Sequence, residues 1–173
     1  KKLTEDELAE MVADFDVIIA GTEPITARVM DRASNLKMIS RVGIGLDSVD
    51  LLAAEERGIK VSYTPDAPAP AVAELSLGLM LSLLRSVHIS NIKMHDGHWH
   101  RFFGRRLAEV TIGIIGVGRI GARVLNRTKG FGTPEILVND VMPNLELDCQ
   151  FKLEWASKQR IYQEADIISL HVP

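Results

Sequence analysis

One short segment of this chain constrains its fold more than any other. Gly116-Val117-Gly118-Arg119-Ile120-Gly121 directly follows the apolar run Val110–Ile115, and Ile120, Val124 and Phe131 then recur at helical spacing. An apolar strand, a Gly-x-Gly-x-x-Gly turn and an amphipathic helix, in that order, are typical of the phosphate-binding turn of a βαβ unit. The segment therefore predicts an α/β fold with parallel strands.

Each residue type in this turn suits the binding of a dinucleotide. Gly116 permits a tight turn, Gly118 lets the backbone approach a pyrophosphate, and Gly121 lets the helix pack on the strand. The N-terminus of that helix presents free N–H groups and a partial positive charge to the phosphates. An arginine beside it can add a charge-assisted hydrogen bond to them. We predict cofactor contacts from Gly116, Gly118, Arg119, Ile120 and Gly121.

An acidic residue follows the next predicted strand. Asp140 comes directly after Glu135–Asn139 and lies about 20 residues beyond the turn, where a carboxylate accepts hydrogen bonds from the adenosine ribose. The same carboxylate would repel a 2′-phosphate, so Asp140 favours NAD over NADP. On the residues alone, a plain connecting turn and another nucleotide ligand such as SAM or FAD stay open as alternatives.

Helix and strand signals also alternate through the first part of the chain. The predicted elements there are a helix begun by the capping box Thr4–Glu7, a strand Val17–Ala20, a helix Ile25–Ala33, a strand Lys37–Val42, a helix capped by Asp50 and ended by Gly58, and a strand Ile59–Tyr63. Three prolines between 65 and 70 break the pattern, and 71–94 is predicted to be one long helix, buried because it is apolar on most of its circumference. We therefore predict a first domain over 1–70, a linking helix over 71–96 and a nucleotide-binding domain over 97–173.

The composition and net charge of the chain argue against several classes of function. The net charge of the 173 residues is −3 and the basic residues are scattered, which argues against nucleic acid or an anionic membrane as a partner. The apolar run Leu75–Leu84 is too short to span a bilayer. Cys149 is the only cysteine of the 173 residues, so an internal disulfide framework is excluded and a cytoplasmic location is expected.

The histidines between 95 and 100 are the nearest approach to a metal-ligand pattern. His95 and His98 are spaced as ligands can be, and His100 follows them closely. The sequence offers no evident fourth ligand, so we predict surface or hinge histidines and no metal.

Further motifs, in their order and spacing, resemble a known family. The matching stretches are Arg41–Asp50, Ala53–Ile59, Tyr63–Ala67 with Val72–Glu74, Gly97–Trp99, Ile112–Gly121 and Ala165–Pro173. They are similar to the D-isomer-specific 2-hydroxyacid dehydrogenases, most closely to the phosphoglycerate dehydrogenase-like branch. The resemblance implies a flavodoxin-like substrate domain and a Rossmann-type NAD-binding domain, both incomplete in this chain.

The resemblance also implies roles for particular residues. The loop over 42–45 would hold the substrate carboxylate through its backbone N–H groups, since a Gly-x-Gly after a strand can form an anion-binding nest. On the residues alone, a plain turn is an equal alternative. The implied substrate-binding residues are Arg41, Val42 and Gly43, and the implied cofactor-binding residues are Ile44, Val172 and Pro173.

The family's reaction is reversible hydride transfer between C2 of a D-2-hydroxy acid and NAD; 3-phosphoglycerate is one candidate substrate. The family's catalytic Arg, Glu and His belong to segments that would follow Pro173, so we assign a catalytic role to no residue of this chain. A homodimer is the implied assembly. A non-catalytic NAD(H)-binding interaction protein of corepressor type is the alternative function.

Overall fold

The computed structural model of the protein describes residues 2–144, 147, 150, 151 and 153–172. The chain divides into two compact units, Lys1–Pro68 and Ala69–Pro173. Each unit contains one sheet, and every strand pairing in both sheets is parallel. The predicted α/β fold with parallel strands is confirmed. The segment 71–96, expected to link two domains, belongs to the second unit.

The first unit alternates helices and strands. Its elements are α1 (Glu5–Met11), β1 (Val17–Ala20), α2 (Ala27–Arg32), β2 (Met38–Arg41), α3 (Leu51–Glu56) and β3 (Lys60–Tyr63). The strand order is β1-β2-β3. Ile25, Val29 and Ile39 are fully buried in the core of this unit. Parallel strands therefore end at one common edge, where the loops after β1, β2 and β3 meet.

Side-chain caps explain where the helices of this unit begin. The predicted capping box is confirmed, since the backbone N–H of Thr4 donates to Glu7 at 2.9 Å and that of Glu7 donates to the Thr4 hydroxyl at 3.3 Å. The Asp50 carboxylate accepts from the Ala53 N–H at 3.0 Å at the start of α3. Helix α2 begins at Ala27 rather than at Ile25, because Ile25 pairs with Val49 instead.

The segment predicted as one helix over 71–94 is two helices, α4 (Ala69–Leu84) and α5 (Val87–His95), inclined by 66°. The N–H of Arg105 donates to the Leu84 carbonyl at 3.2 Å and so occupies an acceptor that a continuing helix would use. Ser86 takes a left-handed conformation, with φ of 50°. The prediction of a single helix is wrong because a distant segment ends α4.

Helix α4 buries one side and exposes another. Ala73 and Met80 lie in the core of the second unit, whereas Leu75, Leu79 and Leu83 are 63%, 56% and 60% exposed. The prediction that this segment is buried rather than lying on a surface is therefore wrong for the side of α4 that carries these leucines. Within the described residues, no single helix has the length and apolar composition needed to cross a membrane, and only the bent pair α4 and α5 meets both conditions jointly.

The second unit continues with β4 (Thr111–Ile115), α6 (Arg119–Thr128), β5 (Glu135–Asn139), β6 (Glu154–Trp155), α7 (Lys158–Glu164) and β7 (Ile167–Leu170). The strand order is β6-β5-β4-β7. Val124 and Leu125 of α6 are fully buried, and the Arg127 guanidinium pairs with the Glu74 carboxylate of α4 at 3.0 Å. Packing against the core thus fixes the position of α6 next to the glycine turn.

Candidate functional site

The glycine turn lies where the winding of the second sheet reverses. Strand β4 pairs with β5 on one side and with β7 on the other. In open parallel sheets, ligands bind beyond the carboxyl ends of the strands at such a reversal. The N–H of Gly116 donates to the Asn139 carbonyl and the N–H of His171 donates to the Ile115 carbonyl, both at 2.8 Å. These bonds hold the residues that follow the three strands at one edge.

Two of the three glycines are required by packing within the chain. Gly116 has a φ of 92°, and an added Cβ would lie 2.5 Å from the His171 carbonyl oxygen. An added Cβ on Gly121 would collide with the carbonyl of Gly116. Both glycines therefore let α6 and the end of β7 close tightly around the turn.

Gly118 differs, because an added Cβ there would meet no other atom of the chain within 4 Å. Its φ of −77° lies outside the left-handed region, and it precedes α6 without a side-chain cap. Neither packing nor a positive φ calls for a glycine at this position. The open space at an uncapped helix N-terminus fits the close approach of a pyrophosphate.

The carboxylate of Asp140 stands next to this space. One oxygen accepts from the Val117 N–H at 2.7 Å and the other from the Met142 N–H at 3.1 Å. These backbone donors, that of Met142 first, hold the pKa of Asp140 below its ordinary value, although burial acts in the opposite direction. A carboxylate has about four acceptor positions, so the half-buried Asp140 can also accept from ribose hydroxyls while repelling a 2′-phosphate.

Arg119 and Ile120 occupy the first turn of α6. Arg119 is exposed, and its carbonyl accepts from the Arg123 guanidinium at 2.7 Å. Ile120 is half-buried and packs against the hydrophobic core of the second unit. The assignment of both residues to cofactor contact stays a prediction.

The segment after β7 completes the same edge. The Ser169 hydroxyl and the Nε2 atom of His171 are 2.8 Å apart, and burial lowers the pKa of the His171 imidazole. Val172 is 54% exposed and lies beside Gly116. Pro173, also predicted to contact the cofactor, lies outside the described residues.

In the first unit, the predicted substrate loop follows β2. The N–H of Val42 donates to the Ala20 carbonyl at 2.9 Å, and the N–H of Gly43 donates to the Thr64 hydroxyl at 2.8 Å. The Arg41 guanidinium folds back over Gly43 and donates to the Val42 carbonyl. The N–H groups of Val42 and Gly43 are thus occupied by hydrogen bonds within the protein.

The two remaining donors of the loop are the N–H groups of Ile44 and Gly45, to which the described residues give no partner. These two N–H groups point to the part of the loop that is left available to an anion. Thr64 is the residue that sequence reasoning missed, since it fixes Gly43 through both its hydroxyl and its N–H, the latter at 3.1 Å. Its position directly after β3, at the same edge of the sheet, is the signal that points to it.

Two of the three clustered histidines, His95 and His100, make other side-chain contacts. The Nδ1 atom of His95 lies 2.9 Å from the Asn91 carbonyl, and the ring of His100 packs edge-on against Phe102 at 4.4 Å. In the part of the chain that the structure describes, no group of three or more His, Cys, Asp or Glu side chains suits a metal ion.

Comparison with known proteins agrees with this geometry. The family model of the D-isomer specific 2-hydroxyacid dehydrogenase catalytic domain matches residues 1–169. The chain is 38% identical to a hydroxypyruvate reductase of Thermotoga maritima, over 99% of this chain and 56% of that protein. It is 39% identical to a D-3-phosphoglycerate dehydrogenase of Methanocaldococcus jannaschii, over 99% of this chain and 33% of that protein.

A solved structure shares the fold. It is the D-lactate dehydrogenase from Aquifex aeolicus complexed with NAD and lactic acid, which is 28% identical, with a TM-score of 0.83 over 95% of this chain and 50% of that chain. The chain therefore spans between a third and a little over half of the length of these proteins. None of these similarities supports the alternative of a non-catalytic interaction protein.

Proposed function

The chain belongs to the D-isomer specific 2-hydroxyacid dehydrogenases, and on this premise we propose that the protein oxidises the CH–OH group of a small D-2-hydroxy acid with NAD, and catalyses the reverse reduction. NAD, when bound, would supply the hydride acceptor. The proton-transfer and carbonyl-polarising groups are assigned to no residue of this chain. This chain contributes the proposed cofactor-binding site and part of the proposed substrate-binding site.

The observation that carries the proposal is the open space at Gly118, at the reversal of the second sheet. The backbone there and the N-terminus of α6 would receive the pyrophosphate, because a helix N-terminus favours an anion. Asp140 would accept hydrogen bonds from the ribose, and its charge selects NAD over NADP. The Aquifex aeolicus D-lactate dehydrogenase, which is complexed with NAD, supports this choice of cofactor.

The substrate class follows from the relatives and the loop after β2. The two relatives of nearly equal identity are a hydroxypyruvate reductase and a D-3-phosphoglycerate dehydrogenase, and both act on short 2-oxo or 2-hydroxy acids. The N–H groups of Ile44 and Gly45, with the guanidinium of Arg41 close by, would hold the carboxylate that all such acids share.

The direct test is an assay of the complete protein. We expect NADH to be oxidised with at least one of glyoxylate, pyruvate, hydroxypyruvate and 3-phosphohydroxypyruvate, and NADPH to be a much poorer donor. If none of these acids consumes NADH, the proposed enzyme is contradicted. A preference for NADPH would contradict only the assignment of the cofactor.

We also propose that the protein is a homodimer. Leu75, Leu79 and Leu83 form an exposed apolar stripe on α4, and Val87 and Ile92 of α5 are 54% and 57% exposed. Exposed apolar stripes of this kind are typical of association sites. A reducing, cytoplasmic setting remains part of the proposal, because the sequence has a single cysteine.

A further inference from the structure

The loop after β1 is fastened to the predicted substrate loop at both of its ends. At its start, the Ala20 carbonyl accepts from the Val42 N–H at 2.9 Å. At its end, the Ile25 N–H donates to the Ser48 carbonyl at 2.7 Å. The short loop Gly21–Pro24 therefore lies against the segment that follows β2, at the carboxyl edge of the first sheet.

This loop fixes a carboxylate at that edge. The backbone N–H of Gly21 donates to the Oε2 atom of Glu23 at 2.9 Å. A Cβ on Gly21 would lie only 2.9 Å from the same oxygen, so the glycine makes room for the side chain to fold back. Glu23 is half-buried, and the described residues give it no ion pair. A half-buried carboxylate without a partner cation repels an anion that is brought near it.

The charged side chains at this edge include the Arg41 cation at the end of β2 and the Glu23 anion on the loop after β1, while Asp47, beside Gly45, is a second carboxylate and is exposed to solvent. Arg41 pairs with Ala20 in the sheet, so its guanidinium and the Glu23 carboxylate belong to segments that leave the sheet side by side. A single carboxylate can be bound by the N–H groups of Ile44 and Gly45 and by the guanidinium of Arg41 close to them. A second anionic group would be forced towards an uncompensated, half-buried carboxylate, which is electrostatically unfavourable.

We infer that Glu23 sets the substrate class of the proposed dehydrogenase. The acid it admits has an uncharged far end, best a hydroxyl group that donates to the carboxylate of Glu23, and 3-phosphorylated acids are rejected. The inference rests on the proposed function, because it assumes that the loop after β2 holds the substrate. Glu23 here is a specificity-determining residue and takes no part in proton or hydride transfer.

The test compares hydroxypyruvate with 3-phosphohydroxypyruvate as substrates of the complete protein. We expect kcat/KM to be higher for hydroxypyruvate. Glu23→Gln should reduce this preference about tenfold, because it removes one negative charge near a doubly charged phosphate. Glutamine keeps an acceptor for the Gly21 N–H, so the loop retains its anchor. Glu23→Lys should reverse the preference, and added salt should weaken the effect. Glu10→Gln, an exposed acid on α1, is the matched control and should leave the ratio unchanged.

Three outcomes would overturn the inference. Turnover that favours 3-phosphohydroxypyruvate in the unaltered protein, or a ratio that Glu23→Gln leaves within twofold, contradicts the role of Glu23 and leaves the dehydrogenase standing. Absence of turnover with every 2-oxo acid contradicts the proposed function itself and removes the inference with it.

Discussion

At the scale of single residues, the three glycines of the turn after β4 are explained by different physical causes. Gly116 and Gly121 are needed by the chain, since a side chain at either would strike the carbonyl of His171 or of Gly116. Gly118 faces empty space, and nothing within the chain excludes a side chain there. Stability and ligand binding can therefore be separated by mutating these positions one at a time.

Gly118→Val should abolish or strongly weaken NADH binding while leaving the fold intact. The new side chain would fill the space that a pyrophosphate needs without meeting any atom of the chain within 4 Å at its Cβ. Quenching of NADH fluorescence measures binding and urea denaturation measures stability. Gly130→Ala, which also opens onto free space, is the control for both. Unchanged NADH affinity in Gly118→Val would remove the turn from the cofactor site.

Asp140→Asn should shift the cofactor preference towards NADPH by about fivefold, since loss of one repelling charge changes the binding free energy by about 1 kcal/mol. The amide oxygen still accepts from one of the two backbone donors, Val117 or Met142. Dissociation constants for NADH and NADPH, measured side by side, test this. An unchanged ratio would show that Asp140 does not face the ribose.

The ionisation of Asp140 also predicts a pH dependence of stability. Because the backbone donors of Met142 and Val117 lower its pKa in the folded state, the stability it contributes is present above its ordinary pKa of about 3.9 and is lost as the pH falls through the lowered value. The difference in free energy of unfolding between the unaltered protein and Asp140→Asn should therefore be largest near neutrality and shrink below about pH 4. A difference that stays constant down to about pH 3 would contradict this.

At the scale of elements, the break between α4 and α5 shows a tertiary contact overriding local preference. The apolar, helix-favouring residues around Leu84 would continue one helix, yet the Leu84 carbonyl accepts from Arg105 instead. Gly104 permits this approach, since an added Cβ would lie 2.5 Å from that carbonyl oxygen. The bend thus depends on a glycine and a donor that lie well beyond the helix.

Gly104→Ala should lower the free energy of unfolding by about 1–3 kcal/mol, the usual cost of forcing an extra methyl into a packed contact. Gly78→Ala is the matched control inside α4, where an added Cβ meets nothing within 4 Å and the loss of a helical glycine should stabilise by about 0.5–1 kcal/mol. Urea denaturation measures both changes. Equal effects of the two substitutions would show that the segment at 104 does not end α4.

At the scale of the whole molecule, the apolar stripe of α4 (Leu75, Leu79 and Leu83) stays exposed in a single chain. Leu79→Lys places a charge in the middle of this stripe and should convert the proposed homodimer into monomers. Leu52→Lys on α3 is the control, because Leu52 is 74% exposed but lies outside the stripe. Sedimentation equilibrium distinguishes the two species. A dimer that persists in Leu79→Lys, or a monomer before any mutation, would contradict the proposed interface.

Much of the fold follows from the sequence because its signals act over a few residues. Thr4, Glu7 and Asp50 cap helices that begin next to them, and the apolar runs at Val17–Ala20 and Glu135–Asn139 form strands over the predicted residues. The turn from Gly116 to Gly121 likewise joins a strand to a helix as its pattern predicts. Periodicity and capping are local, so the residues alone determine them.

The tertiary structure decided what depends on contacts between distant residues. It placed the glycine turn at the reversal of the sheet, because β7 pairs with β4 on the side opposite β5. It ended α4 with a donor from 105, and it occupied the N–H groups of Val42 and Gly43 with Ala20 and Thr64. Hydrogen-bond partners far apart in the chain leave no local pattern, so the sequence determined the elements and the kind of site, and packing determined which atoms remain available to a ligand.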